Sequence, residues 1–406
     1  MKILNVSPRV AHPLTSGSRV RIFNLLSRLA RHHEIRQFSQ ARRLDLKRLG
    51  FQEEVLHAPN YLERRLTDLA GTMLCEWMES SGFGVPVLSG FPLRLQQPRL
   101  LREWADWADL VMVEFPWQYA HCRAIAGGKP VVLATHNVQA TKARSAGRLT
   151  LMERPLAACT DWLEREAVLG ADFLFAVSEE DRQGLERQYG IDTAKIAVAP
   201  NGADVELYRP AEDGERQALR ARLGLPPGPL VVFPAAQRQT PIVEALKWVR
   251  RTAELMPEVR FLITGSYQPT PQIEGNVIFT GFVNGYEDYL RASDALLCPM
   301  AVGGGTKLKM MDSAATGLPI VTFQETVRGT EFRHGEQVIV VEHNAAALAT
   351  SLRRVLGDPA EAARLGAAAR KCAVEQYDWN NIADQMSRRL EAVLAAHSVR
   401  EGAAVR

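Results

Sequence analysis

Gly303, Gly304 and Gly305 run directly into Thr306, Lys307, Leu308, Lys309, Met310, Met311 and Asp312, and no other stretch of the sequence carries clearer chemistry. Three residues without a Cβ let the backbone approach a ligand and take positive φ without strain. The helical pattern that follows would present unpaired N–H groups and the positive end of its dipole, both of which favour a phosphate. Lys307 and Lys309 add positive charge, and Asp312 falls about a turn and a half beyond Lys307. A spacing of two cannot place both lysines on one helix face. At most one therefore points at a bound phosphate; Lys307, nearer the loop, is expected to, with Lys309 left in solvent. Gly317 suits a left-handed helix stop and Pro319 cannot continue the helix, so Ile320 and Val321 open a strand. Loop, helix, stop and strand together predict a binding site for a nucleotide diphosphate in an α/β domain.

Such a loop needs a sheet to hold it. Short apolar runs alternate along the chain with amphipathic helical stretches, the pattern of a parallel sheet covered on both faces. Residues 2–6 read as a first strand, 19–31 as the helix after it and 34–38 as a second strand. Residues 42–105 read as mostly helical, broken at Pro86 and Pro92. Strands follow at 110–113, 131–134 and 173–177, with an amphipathic helix at 160–169. Near Pro200 the rhythm restarts, with strands at 230–233, 260–264, 277–279, 295–298, 319–323 and 337–341 and helices at 243–255, 307–316 and 345–356. The boundary falls between Asn201 and Pro229, and residues 382–397 form a last helix with no strand after it. Doubly wound sheets bind ligands at the carboxyl ends of their strands, which is where the Gly303 loop belongs.

Gross composition narrows the class. The 406 residues suffice for two or three domains, 46% are hydrophobic and 23% charged, as in ordinary globular proteins. No apolar run approaches the ~20 residues that span a bilayer. Residues 1–6 turn polar too early for a signal peptide. Cys75, Cys122, Cys159, Cys298 and Cys372 contain no CxxC pair, which fits buried thiols in a reduced cytoplasm and neither a disulfide framework nor a zinc site. The net charge of +3 hides an asymmetry: residues 1–65 carry 13 Lys/Arg against 5 Asp/Glu. That segment suits anionic lipid, a pyrophosphate-linked acceptor or simply solvent; nucleic acid is disfavoured, because no binding motif accompanies the charge.

Several ordered motifs then converge. The run Pro200-Asn201-Gly202-Ala203-Asp204, ending in Tyr208-Arg209-Pro210, resembles the "PNG-D---F-P" crossover of family 4 glycosyltransferases of the GT-B fold. Val177-Ser178 resembles their "V-S" strand end. Thr280-Gly281-Phe282-Val283 with Tyr289 and Asp294 is similar to their "TG-V…Y…D" run, and the Gly303 block to their nucleotide-sugar loop in its GGGT(K/R)LK form. Glu375-Gln376-Tyr377-Asp378-Trp379 resembles the segment before their last helix. The resemblance covers nearly the whole chain. It implies two Rossmann-like domains facing a cleft: residues 1–205 on the acceptor side, 206–380 on the donor side, and 381–406 as a helix returning to the first domain. It further implies transfer of a sugar, with retention, from a UDP-, GDP- or dTDP-sugar to a glycan, lipid-linked or small-molecule acceptor. Neither a metal nor another cofactor is implied, and the address is the cytoplasm, with the inner membrane leaflet as a resting surface. A GT-B sugar-nucleotide epimerase and a non-catalytic nucleotide-sugar-binding scaffold are the alternatives.

The same resemblance assigns residues. Asp312, where the family has Glu, would accept hydrogen bonds from the donor ribose; a surface-facing Asp is the alternative. Gly304 stands where many members place a second carboxylate on the donor sugar, so backbone N–H groups of Gly303, Gly304, Gly305 and Thr306 would serve there. Many members carry "GR…KG" after the first strand of the second domain; here Pro234-Ala235-Ala236-Gln237-Arg238 leaves Arg238 as the candidate cation, unless it is an exposed loop residue. Phe282 and Val283 would border the nucleobase. His136, at a strand end, would stabilise a developing oxocarbenium or orient a hydroxyl. Gly17, in the family's glycine-rich loop, would allow close approach of phosphate, and Arg19 would meet an anionic acceptor. Glu114 and Trp117 would line the acceptor pocket, although core packing accounts equally well for Phe115 and Trp117.

Overall fold

The computed structural model describes residues 1–8, 11, 14, 16–39, 52–55, 98–138, 153–236, 238–303 and 306–404. They divide into two compact units, Met1–Pro200 with Ala383–Arg406, and Asn201–Ile382.

The first unit is built on strands β1 (Lys2–Ser7), β2 (Glu34–Ser39), β3 (Gln52–Val55), β4 (Leu110–Val113), β5 (Val131–Ala134), β6 (Phe173–Ala176) and β7 (Ile196–Val198). Their order is β3-β2-β1-β4-β5-β6-β7 and every pair is parallel. Central strands β4, β5 and β6 are apolar throughout and buried throughout, as strands covered on both faces must be. The helical expectation for residues 42–105 is corrected at Gln52–Val55, which pair as β3 alongside β2, while helix Arg99–Trp107 meets it at its described end. Gln52, Glu53 and Glu54 offer no apolar alternation; pairing at the sheet edge, not pattern, makes that strand. Pro86, Pro92 and Cys75 lie outside the described residues. Ser178, two residues beyond β6, caps helix Glu179–Tyr189, its Oγ accepting from Asp181 N at 3.0 Å.

One face of this sheet packs Leu4, Val6, Phe38, Val111, Val113, Val131 and Leu133 into a core. The other face alternates with it and carries Asn5, Ser7, Gln37 and Ser39, all fully buried. Helix Gly17–Leu29 buries Arg21, Asn24 and Arg28. The long helix Trp379–Ala404 belongs to this unit from Ala383 onward, where Ser387 Oγ lies 2.7 Å from His33 Nε2.

The second unit holds β8 (Leu230–Pro234), β9 (Arg260–Thr264), β10 (Gln272–Glu274), β11 (Val277–Gly281), β12 (Ala295–Cys298), β13 (Ile320–Phe323) and β14 (Ile339–Val341), in the order β10-β11-β9-β8-β12-β13-β14. Only the β10–β11 pair is antiparallel. Strand order reverses between β8 and β12, which opens a crevice beyond their carboxyl ends.

The crossover motif has a structural reason. A Cβ on Gly202 would sit 2.5 Å from Tyr377 O and 2.9 Å from both Trp379 and Ile382. Glycine there lets Ala203 N donate to Tyr377 O at 2.7 Å and Trp379 N to Ala203 O at 3.2 Å. Arg370 then ties the segment down, one guidinium nitrogen donating to Val205 O, Tyr208 O and Ala315 O. Among the described residues no helix is long and apolar enough to cross a membrane.

Candidate functional site

Four consecutive carboxyl ends of the second sheet, those of β11, β9, β8 and β12, gather the predicted nucleotide residues. Gly303 follows β12 with φ +109°, and a Cβ there would meet Pro241 Cγ at 3.2 Å. The backbone turn thus requires glycine at this position. Gly304 and Gly305 lie outside the described residues. Thr306 is buried and held from both sides of its backbone, Asn201 Nδ2 donating to its Oγ1 at 2.9 Å and to its carbonyl at 3.2 Å.

Helix Leu308–Ala315 begins after Lys307, whose extended backbone supplies no side-chain cap. Among the described residues no side chain caps the N–H groups of its first turn, the donors that a helix start offers an anion. Lys307 Nζ turns back to donate to Gly303 O at 3.0 Å. Lys309 is not in solvent as expected. It is half-buried, its Nζ 4.4 Å from the Phe233 ring centre and donating to Pro234 O at 2.6 Å. The two lysines do diverge, but the second points inward, to the end of β8. Burial pushes its ammonium down to about 8.

Asp312 sits half-buried on the same helix, among buried Met310, Met311, Ala314 and Ala315. Burial, and then the neighbouring Asp204, hold its carboxyl well above the usual range. The hydroxyls of Tyr208 and Tyr286 feel that carboxylate, and the two rings meet edge-on at 6.0 Å. Among the described residues nothing donates a hydrogen bond to the Asp312 carboxylate. Arg238 is exposed, with its guanidinium 5.4 Å over the Tyr267 ring just beyond β9. Phe282 follows β11 and is 64% exposed, while Val283 beside it is half-buried. An apolar ring left in water at a ligand edge suits stacking.

The first unit gathers a second cluster, at the ends of β4 and β5. His136 is buried, its Nε2 2.9 Å from Glu114 Oε2, and Phe115 stacks on its ring at 4.3 Å. Glu114 Oε1 accepts from Asn5 Nδ2 at 2.7 Å. Glu114 and Trp117, expected to line the acceptor pocket or to pack in the core, are both buried. Both oxygens of Glu114 face inward partners, and Trp117, 1% exposed, packs with Phe115 and Leu163. Glu114 instead orients His136.

Gly17 stands after β1, at the start of the first helix. It is the exposed first residue of helix Gly17–Leu29, with Ser16 as its cap position. Arg19 lies half-buried in that first turn. Sequence reasoning missed Arg21, which is 1% exposed and donates to Ala199 O at 2.6 Å and Pro200 O at 2.8 Å. Burial pushes its guanidinium down to about 10, with Glu114 and Asp181 opposing. It missed the polar face of β1 and β2 as well, although the alternation of Asn5 and Ser7 with Leu4 and Val6 was there to be read.

Residues 15–207 match the sequence family described as "Glycosyltransferase Family 4", and residues 230–358 the one described as "Glycosyl transferases group 1". The D-inositol 3-phosphate glycosyltransferase of Rhodococcus opacus is 30% identical over 279 residues, 63% of this chain and 60% of that relative. The chain thus spans less than two thirds of that relative's length. Sucrose-phosphate synthase from Thermosynechococcus elongatus superposes with a TM-score of 0.71 at 16% identity, covering 98% of this chain and 100% of its own. Anabaena HepE, solved in complex with UDP, gives 0.69 at 16% identity over 97% and 100%. At such identity these two structures establish the fold.

Proposed function

Because the chain belongs to the glycosyltransferases, family 4 in its first half and group 1 in its second, and has their GT-B fold, we propose that it moves a sugar from a nucleoside-diphosphate sugar to an acceptor, with retention and without metal.

One observation carries the reading. At the reversal point of the second sheet, one short helix next to a glycine turn carries an ammonium and a carboxyl that have, among the described residues, no carboxylate partner and no hydrogen-bond donor respectively. A nucleotide complements all three. Its pyrophosphate takes the open helix N–H groups and the positive charge, and its ribose hydroxyls donate to Asp312. Phe282 and Val283 border the base. When the sugar leaves, charge builds on the diphosphate, and fixed N–H groups and a cation there stabilise the transition state. His136, held by Glu114, orients a hydroxyl or meets positive charge developing on the sugar. Arg19 offers a contact to an acidic acceptor, in keeping with the phosphate in the name of the inositol-phosphate relative.

The test is a panel of UDP-, GDP- and dTDP-sugars, UDP first because HepE was solved with it. Binding and slow donor hydrolysis are expected for one nucleotide class. Failure of every donor to bind or turn over would remove the reading. Binding without turnover would favour the scaffold, and an altered sugar nucleotide formed without acceptor would favour the epimerase. The basic segment 1–65 would further bring the protein to an anionic membrane surface; equal co-sedimentation with neutral and anionic vesicles would count against that.

A further inference from the structure

Lys309 is an expensive residue where it stands. An ammonium has three N–H donors, and here one is used, on Pro234 O at 2.6 Å. The Phe233 ring face at 4.4 Å compensates in part. Among the described residues no carboxylate lies within ion-pair distance of it. Burying a cation without an anion opposes folding, so a lysine held in this way points to an anion that arrives later.

Its address says which anion. Pro234 ends β8, and the Lys309 helix follows β12; these are the two strands between which the order reverses. Across the reversal, the segment after β8 offers Arg238 alone, and that guanidinium lies out over Tyr267 on the β9 side. Lys307 is turned to the loop carbonyl of Gly303. Among the described residues, Lys309 is the cation of this helix whose ammonium lies at the end of β8, the strand beside the reversal.

We propose that Lys309, positioned by the Pro234 carbonyl, is the cation that contacts the pyrophosphate of the bound nucleotide, with Lys307 serving to fix the glycine loop. This rests on the reading of the site as a nucleotide site and names the residue that gives it its charge. A pH signature follows. Lys309 titrates at about 8, whereas the Cys298 thiol facing it is pushed up to about 11 and stays neutral. A terminal phosphate, with its second pKa near about 6, is fully charged above neutrality. Diphosphate affinity therefore falls as pH rises through the range where Lys309 loses its proton, and nucleoside affinity does not.

The experiment titrates UDP, GDP and dTDP, and the matching nucleosides, into the whole protein by calorimetry between pH 7 and 9.5. Wild type is compared with K309M, K309R, K307M and D312A. For the diphosphate that binds, K309M is expected to lose roughly 10–100-fold in affinity with the nucleoside unchanged. The pH dependence disappears in K309M and K309R, and unliganded K309M melts at or above wild type because a buried charge is gone. Equal diphosphate affinity in wild type and K309M, with the loss in K307M instead, overturns the proposal. So does a K309M protein that melts lower and loses nucleoside and diphosphate alike, which would make the lysine structural. If D312A abolishes binding and K309M does not, the nucleotide site stands and this assignment falls. If wild type binds none of the three diphosphates, the site reading itself fails.

Discussion

His136 Nε2 and Glu114 Oε2 lie 2.9 Å apart, and the second oxygen of that carboxylate accepts from Asn5 at 2.7 Å. Three strands, β1, β4 and β5, thus meet through one buried carboxylate. Replacing Glu114 with Ala takes a buried acceptor away from both Asn5 and His136 and is expected to destabilise by about 1–3 kcal/mol. Gln at the same position keeps the shape, and its cost is smaller. If Glu114 acts on turnover through His136, the E114Q/H136A double variant loses no more kcat than H136A alone. Strictly multiplicative losses would show two independent roles.

Asp312 works against the free protein. Its folded pKa is raised above the unfolded value of about 3.9, so the charged form is disfavoured by folding. Below that value both states are protonated and the group is neutral in effect. As pH rises past it, the unfolded chain ionises first and stability is lost, until the folded pKa is reached. D312N should therefore melt higher than wild type at pH 7.5, by a margin that shrinks toward pH 5. It should also lose roughly tenfold or more in nucleotide affinity. A variant that gains no stability, or keeps full affinity, would remove the carboxylate from the ribose.

The glycine loop, the helix after it and the acidic residue were legible because their chemistry is local: adjacent residues define turn, dipole and charge. Sheet strands were legible where both faces are buried, as in Val131–Ala134, and not where three-residue Ile196–Val198 or polar Gln52–Val55 pairs at an edge. The direction of Lys309 was not legible, because it depends on where β8 ends in space rather than on its spacing from Lys307. Glu114 and His136 are 22 residues apart, and only the neighbouring places of β4 and β5 make them partners. Trp117 has the composition of a binding aromatic; its burial is a tertiary fact.

The same substitution should act with opposite sign at two glycines. Gly202→Ala forces a Cβ to within 2.5 Å of the Tyr377 carbonyl and is expected to destabilise by about 1–3 kcal/mol or more. Gly184 lies inside helix Glu179–Tyr189, and its Cβ would meet nothing closer than Val138 at 3.6 Å. Gly184→Ala should stabilise by about 0.5–1 kcal/mol, the usual entropic gain in a helix. Chemical denaturation measures both. A harmless Gly202→Ala would mean that the crossover does not depend on close approach to 377–379.

The last helix carries an acid-sensitive contact. His33 is buried against Ser387, and burial first, then the chain's amino terminus, lower its pKa, with Glu391 opposing. A depressed histidine contributes stability that is fully present above the unfolded value of about 6.5 and lost as pH falls through its folded value. His32 and Asp384, 3.5 Å apart, are both more than half exposed, and such pairs contribute little. Net loosening is expected on acidification. Once each hydrogen-exchange rate is divided by the intrinsic amide rate at the same pH, residues 383–404 should lose protection between pH 7.5 and 5.5, and H33Q, which keeps a partner for Ser387 without titrating, should flatten the change. Protection that holds or rises on acidification would remove His33 from the stability of this helix.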